Sequence, residues 1–272
     1  MKKYKKGYIE GIFDMFCTTH LSVLENAKDL CEQLVVGIYS DNILENYGKK
    51  KPFVSCADRI RIIQAVRYVD EVNLQKDIDI QKAAQDYQCD VVFVGNESLS
   101  TVSSRVLTNN GIKVEPLLGT INNETTTLPL TPDIPRGRLV GYTTGVFDMF
   151  HIGHLNIIER AKAMCDYLIV GVSTDENVES YKHKKPVIPF IERASIIQSL
   201  QYVDAVVPQT NMDKLAAWGY LHFNVMFHGD DWKGSVMFND VEAKLNAVGC
   251  TTIYLPHTDG ISTSMIREKL SL

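Results

Sequence analysis

Residues 144–154 read Thr144-Gly145-Val146-Phe147-Asp148-Met149-Phe150-His151-Ile152-Gly153-His154, two imidazoles three positions apart around a glycine. The run follows an apolar stretch that reads as a strand, and His154 opens a helical pattern. That order places both imidazoles and the free N–H groups of a helix start on one spot, with Gly153 allowing close approach. Such a spot suits a phosphate whose charge grows during a reaction. Two nearby histidines alone are more often structural, so the strand-to-helix position carries the reading.

Three more clusters fall at the same kind of place. Lys182, Lys184 and Lys185 lie just after the second apolar run of this half. A lysine cluster is usually a solvated loop, but over the same sheet edge it neutralises phosphate. Gly229-Asp230-Asp231-Trp232 follows a later strand; it reads either as an acidic turn or as a carboxylate for a base's amino group under an aromatic cover. His257-Thr258-Asp259-Gly260-Ile261-Ser262-Thr263-Ser264 ends a strand and starts a helix. There Ser262 is a helix cap, and hydroxyls and N–H groups can face an anion.

The elements that must hold these groups alternate. The pattern LNIIERAKAMCDY repeats apolar residues at helical spacing, and YLIVGVSTD is a continuous apolar run of the buried parallel-strand kind. A lysine-bearing loop, the helical run IERASIIQSLQ, two strands around a helix near 214–219, and TTIYLPHTDG complete the series. This predicts an α/β architecture with a doubly wound parallel sheet, whose ligands bind outside the carboxyl ends of the strands.

The whole series occurs twice. GIFDMFCTTH at 11–20 matches GVFDMFHIGH at 145–154, and one offset of 134 links Phe13 to Phe147 (147 − 13), His20 to His154 (154 − 20), Arg59 to Arg193, Asp70 to Asp204 and Gly95 to Gly229. Two Rossmann-like domains follow, 1–128 and 129–272, with the polar, proline-containing segment 119–138 as linker. Composition agrees: 272 residues suffice for two cores, and 45% hydrophobic and 22% charged content is ordinary for a globular chain. A net charge of −5 argues against broad nucleic-acid binding, so any phosphate site must be a local positive field. No apolar run approaches the ~18 residues of a membrane span. Six cysteines without CxxC pairs, Cys31 and Cys165 among them near matching helix ends, read as buried thiols and point to the cytoplasm.

Taken jointly, the HxGH run, the lysines, Tyr202-Val203-Asp204, GDDW and GISTS resemble the cytidylyltransferases of the HxGH nucleotidyltransferase superfamily. The likeness is strongest to the glycerol-3-phosphate and phosphoethanolamine members, the latter also tandem. The resemblance implies direct attack of a phosphomonoester oxygen on the α-phosphorus of CTP, giving a CDP-alcohol and pyrophosphate. It implies His151, His154 and Lys182 as catalytic groups. The nucleotide would meet Thr144, Gly145, Val146, Phe147, Asp148, Gly153, Lys184, Gly229, Asp230, Trp232, Ile261, Ser262, Thr263 and Ser264, with Asp230 towards the cytosine amino group. Mg²⁺ is expected on the triphosphate, without a dedicated protein cage. CDP-glycerol is the leading product; phosphoethanolamine, phosphocholine or another polyol phosphate is the alternative acceptor, and a non-catalytic nucleotide-binding protein is the reading from another class.

Departures from the family pattern shape the remaining expectations. In the first copy Cys17 stands for the first histidine, Gly48 for the first lysine, and Asn96-Glu97-Ser98 for GDDW, while Glu124-Thr125-Thr126-Thr127 is the nearest segment to ISTS. A neutral thiol and a lost ammonium imply an inactive copy. The arginine of the family's RYVDEV motif is Gln201 in the second copy but is kept in the first as Arg67. The expectation is an intramolecular pseudo-dimer in which Arg67 supports the live site, with further homo-oligomerisation open. His257 replaces the family's usual arginine, which offers phosphate a fixed fork that histidine lacks. Asp148, Arg67 and His257 are thus candidates for binding or supporting the acceptor.

Overall fold

The computed structural model describes residues 1–75, 79–95, 112–117 and 128–271. The chain divides into two compact units, Met1–Asn123 and Glu124–Leu272. The first runs β1 (Tyr4–Gly11), α1 (Thr18–Leu30), β2 (Cys31–Tyr39), α2 (Asp41–Asn46), α3 (Cys56–Gln64), β3 (Glu71–Gln75), α4 (Ile80–Asp86), β4 (Val91–Val94) and β5 (Lys113–Pro116). The second runs β6 (Val140–Gly145), α5 (Ile152–Lys162), β7 (Tyr167–Ser173), α6 (Asp175–Lys182), α7 (Phe190–Gln198), β8 (Ala205–Gln209), α8 (Lys214–Leu221), β9 (Val225–Gly229), α9 (Val236–Ala247), β10 (Thr251–Leu255) and α10 (Thr263–Leu270). Asn96-Glu97-Ser98, Glu124-Thr125-Thr126-Thr127 and the first part of the expected linker lie outside the described residues.

Both sheets are parallel and share one topology, β3-β2-β1-β4-β5 in the first unit and β10-β9-β6-β7-β8 in the second. The expected doubly wound α/β fold is therefore present twice. The apolar runs became central strands because both their faces are covered: Leu168, Ile169, Val170 and Val172 of β7 are wholly buried. Each such side chain contributes roughly 1.5–3 kcal/mol. In the second unit Tyr142 stacks on Phe223 (4.7 Å between centroids) within a cluster that includes Ile169, Val207, Leu221 and Met226. Among the described residues no helix is long and apolar enough to cross a membrane.

The structure refines three local expectations. α5 begins at Ile152, so His151 is its cap and His154 already lies in its first turn. The lysine-bearing loop starts as a helix: Thr174 caps α6 by accepting from the Asn177 amide (3.2 Å), and Lys182 ends it, with His183 in the left-handed region at φ 54°. A further helix, α9, follows GDDW and is capped by Ser235 (3.3 Å from the Phe238 amide).

Candidate functional site

The site grows from the carboxyl end of β6, the middle strand of its sheet. There Phe147 (φ 55°) and Met149 (φ 51°) both adopt left-handed backbone, a conformation that costs bulky residues roughly 1–3 kcal/mol each. Their neighbours hold them there. The Asp148 carboxylate, 4% exposed, accepts the amides of Val187 and Ile188, both at 2.9 Å. Its backbone carbonyl accepts the Thr263 hydroxyl (3.0 Å). Arg193, 1% exposed, donates to the carbonyls of Val146 and Ile188 and to Asp175 Oδ1 (2.6 Å). One strained turn thus ties together the segment after Lys185, the start of α10 and the histidine run.

His151 caps α5, its Nδ1 accepting the Gly153 amide (3.1 Å), and its ring stacks on His154 with centroids 3.8 Å apart. A Cβ on residue 153 would lie 2.9 Å from the His151 ring, so only glycine fits beneath that imidazole. His154 is gripped by Phe147 (5.4 Å) and Phe150 (5.8 Å), and its buried Nδ1 has no hydrogen-bond partner. Burial, and after it the charge of His257, pushes His151 down to about 4. Burial also holds His154 well below the usual histidine range, reinforced by His151 and Lys182. Both rings are therefore neutral at pH 7 before ligand arrives, and the positive field comes from elsewhere.

Beside them opens a cavity of about 240 Å³. Of the residues singled out in the sequence, Thr144, Gly145, Val146, Phe147, Asp148, His154, Lys182, Lys184, Gly229, Trp232, Thr263 and Ser264 line it. So do Lys185, Asp231, His228 and Arg267. Four basic side chains, Lys182, Lys184, Lys185 and Arg267, thus line it against two carboxylates, Asp148 and Asp231, in a chain that is acidic as a whole. Lys182 is held below the usual lysine range, mainly by burial and then by Lys184, against Asp148. Arg267, not singled out in the sequence analysis, places Nη1 4.0 Å from Asp148 Oδ2.

His151, Gly153, Asp230, His257, Ile261 and Ser262 are not among the residues lining the cavity. Ser262 accepts the Met265 amide (3.2 Å) and so fixes the start of α10. Asp230 Oδ1 accepts the His257 amide (3.0 Å), while Asp231 Oδ2 lies 3.4 Å from the His257 ring. The short 3₁₀ turn at Asp230–Trp232 thus puts Asp231 on the cavity. His228 packs on Phe238 (4.2 Å), and burial pushes it down to about 4. Arg67 belongs to the first unit, in the turn before β3. Among the described residues no group of three or more His, Cys, Asp or Glu is arranged to hold a metal.

The matching place in the first unit keeps the turn and changes the chemistry. Phe13 (φ 52°) and Met15 (φ 48°) repeat the left-handed pair, and Asp14 accepts the amides of Phe53 (2.8 Å) and Val54 (2.9 Å). Arg59 repeats the brace, donating to Val54, Ile12, Tyr39 and Asp41. His20 again sits between two phenylalanines, Phe13 (5.4 Å) and Phe16 (6.0 Å). The helix cap differs, with Cys17 where the second unit has His151, and Thr19 and Gly48 stand at the places of Gly153 and Lys182.

Comparison with known proteins agrees with this duplication. A family model described as cytidylyltransferase-like matches residues 8–130 and again 142–269. The glycerol-3-phosphate cytidylyltransferase of Bacillus subtilis (strain 168) is 38% identical over 131 residues, 47% of this chain and 95% of that protein. A probable ethanolamine-phosphate cytidylyltransferase of Encephalitozoon cuniculi (strain GB-M1) is 28% identical over 242 residues, covering 75% of this chain and 74% of its own. The ethanolamine-phosphate cytidylyltransferase of Dictyostelium discoideum is 26% identical, covering 85% and 80%. With both units matched, the chain belongs to the cytidylyltransferase-like family.

Proposed function

We propose that the second unit of this cytidylyltransferase joins CTP to glycerol phosphate, releasing CDP-glycerol and pyrophosphate. The observation that carries the reading is one cavity at the carboxyl end of β6 that gathers Lys182, Lys184, Lys185 and Arg267 beside the His151–His154 stack. The acceptor's phosphate oxygen attacks the α-phosphorus, the bond to the β-phosphate oxygen breaks, and pyrophosphate leaves. Mg²⁺ enters with the triphosphate. The chain's own residues position the reactants and stabilise charge. The lysines and Arg267 neutralise the phosphates, and the start of α10 at Thr263 and Ser264 offers N–H groups and hydroxyls to the leaving portion. The neutral imidazoles serve as N–H donors, and the arriving negative charge raises their proton affinity as it builds.

Ethanolamine phosphate is the second reading, favoured by one observation: relatives so named span three quarters or more of this chain. Pyrophosphate release from CTP with glycerol phosphate, ethanolamine phosphate and choline phosphate separates the two. Highest kcat/KM with glycerol phosphate is expected; release with none of them overturns the enzymatic reading. The arginine kept only in the first copy gives a second test. Arg67→Ala should lower turnover if this arginine supports the reaction, and full activity in that variant removes its supporting role.

A further inference from the structure

The first unit has lost the family's first histidine, yet the residue that replaced it is not inert. Cys17 sits half-buried at the cap of α1, a helix of 13 residues, so its sulfur lies at the positive end of the helix dipole. Cys17 Sγ is 3.5 Å from His20 Nδ1, and the rings of Phe13 and Phe16 fix that imidazole in place. The Cys17 amide also points at Nδ1 (3.3 Å). In the neutral pair Nδ1 accepts that amide; in the ion pair it carries a proton and donates to the sulfur.

The geometry points to Cys17 and His20 as a thiolate–imidazolium pair that makes Cys17 a site of S-modification by small-molecule disulfides. This inference is independent of the reaction assigned to the second unit. The thiolate attacks one sulfur of the disulfide, the S–S bond breaks as the Cys17 S–S bond forms, and the other half leaves as a thiolate that takes a proton from solvent. Electrons and atoms balance without any further oxidant, because the disulfide itself is the oxidised reactant.

The other cysteines set the contrast. Burial pushes Cys31, Cys89 and Cys250 up to about 11, and also raises Cys56 and Cys165. Burial would raise Cys17 too, but the hydrogen bond and charge of His20 outweigh it and bring the thiol down to about 7. The residue three positions away thus offsets burial and draws this thiol below its usual range. The same one-turn spacing brings the two imidazoles together in the second unit.

The test is the rate of modification of the full chain by 5,5′-dithiobis(2-nitrobenzoate) from pH 5.5 to 9, with the modified residue identified by peptide mass. Cys17 should react first at pH 7, with a rate midpoint near 7, and Cys17→Ser should remove that phase. His20→Gln should move the midpoint up to the ordinary thiol value near 8.5 or above, because burial remains, and slow reaction at pH 7 at least a few-fold. Thiolate absorbance at 240 nm, wild type minus Cys17→Ser, reports the same midpoint without relying on the His20 variant. A Cys17 midpoint at the ordinary thiol value near 8.5, or reaction at pH 7 no faster than that of Cys56 and Cys165, overturns the proposal.

Discussion

Set side by side at one offset, the two units separate what this fold needs from what its chemistry needs. The strained turn (Phe13 and Met15, Phe147 and Met149), its acidic anchor (Asp14, Asp148) and its buried arginine (Arg59, Arg193) are present in both. So is the bolt at the start of β2 and β7. There Asp70 accepts from Leu34 N and Lys28, as Asp204 does from Leu168 N and Lys162. The histidine held between two phenylalanines, His20 or His154, is also shared. Residues kept in the copy that has neither His151 nor Lys182 at the matching places serve the scaffold first. At the same offset His151, Gly153 and Lys182 of the second unit face Cys17, Thr19 and Gly48, whereas Lys184 and Lys185 match Lys50 and Lys51. Even Asp148, which lines the cavity, has its carboxylate on backbone amides and its twin in the other copy, so its first duty is to shape the turn.

The comparison can be broken at several points. The largest expected effect is His151→Ala, which should lower turnover about 10²–10³-fold without unfolding the second unit; circular dichroism and pyrophosphate release check both halves of that statement. Next come the paired arginines. Arg59→Met and Arg193→Met each leave a partly exposed carboxylate, Asp41 or Asp175, and at least two backbone carbonyls without their donor, and should destabilise their own unit by about 1–3 kcal/mol. Only Arg193→Met should also impair the reaction. Both tryptophans, Trp218 and Trp232, lie in the second unit, so denaturant titrations followed by tryptophan fluorescence report that unit alone. An Arg193→Met protein with unchanged midpoint would contradict the brace.

A smaller effect is the acid sensitivity of the ligand-free second unit. His151 and His228 are pushed to about 4 by burial, below the value near 6.5 of an unfolded histidine. Between these values the unfolded chain binds more protons than the folded one, so stability is full above about pH 6.5 and falls as pH drops. A loss on the order of a few kcal/mol is expected by pH 5. It appears as a lower tryptophan-monitored midpoint at pH 5 than at pH 7. Equal midpoints would mean that the two rings are not shielded as described.

Much of this was legible in the sequence because repeat and alternation are long-range patterns. Two parallel sheets follow from apolar runs separated by helical ones, and the doubled offset marks the two units. α6 and α9 were not legible. α6 is short and polar, and its start rests on one threonine cap and two acidic residues, Asp175 and Glu176; α9 has only two buried residues, Phe238 and Leu245. Nor was the depth of Arg59 and Arg193, since a lone arginine in a helical pattern reads as surface. Asp230 and Asp231 are adjacent and chemically alike, and only the 3₁₀ turn decides which one meets the cavity. The histidine pair was legible as phosphate chemistry, but its neutrality was not, because burial by Phe147 and Phe150 is a tertiary fact.

The most direct test of one working site is steady-state pyrophosphate release from CTP and glycerol phosphate by the intact chain, His151→Ala and Cys17→Ala. The account predicts that His151→Ala loses about two to three orders of magnitude in kcat, while Cys17→Ala keeps the wild-type value. Retained activity in His151→Ala, or activity lost on removing the Cys17 thiol, would contradict it.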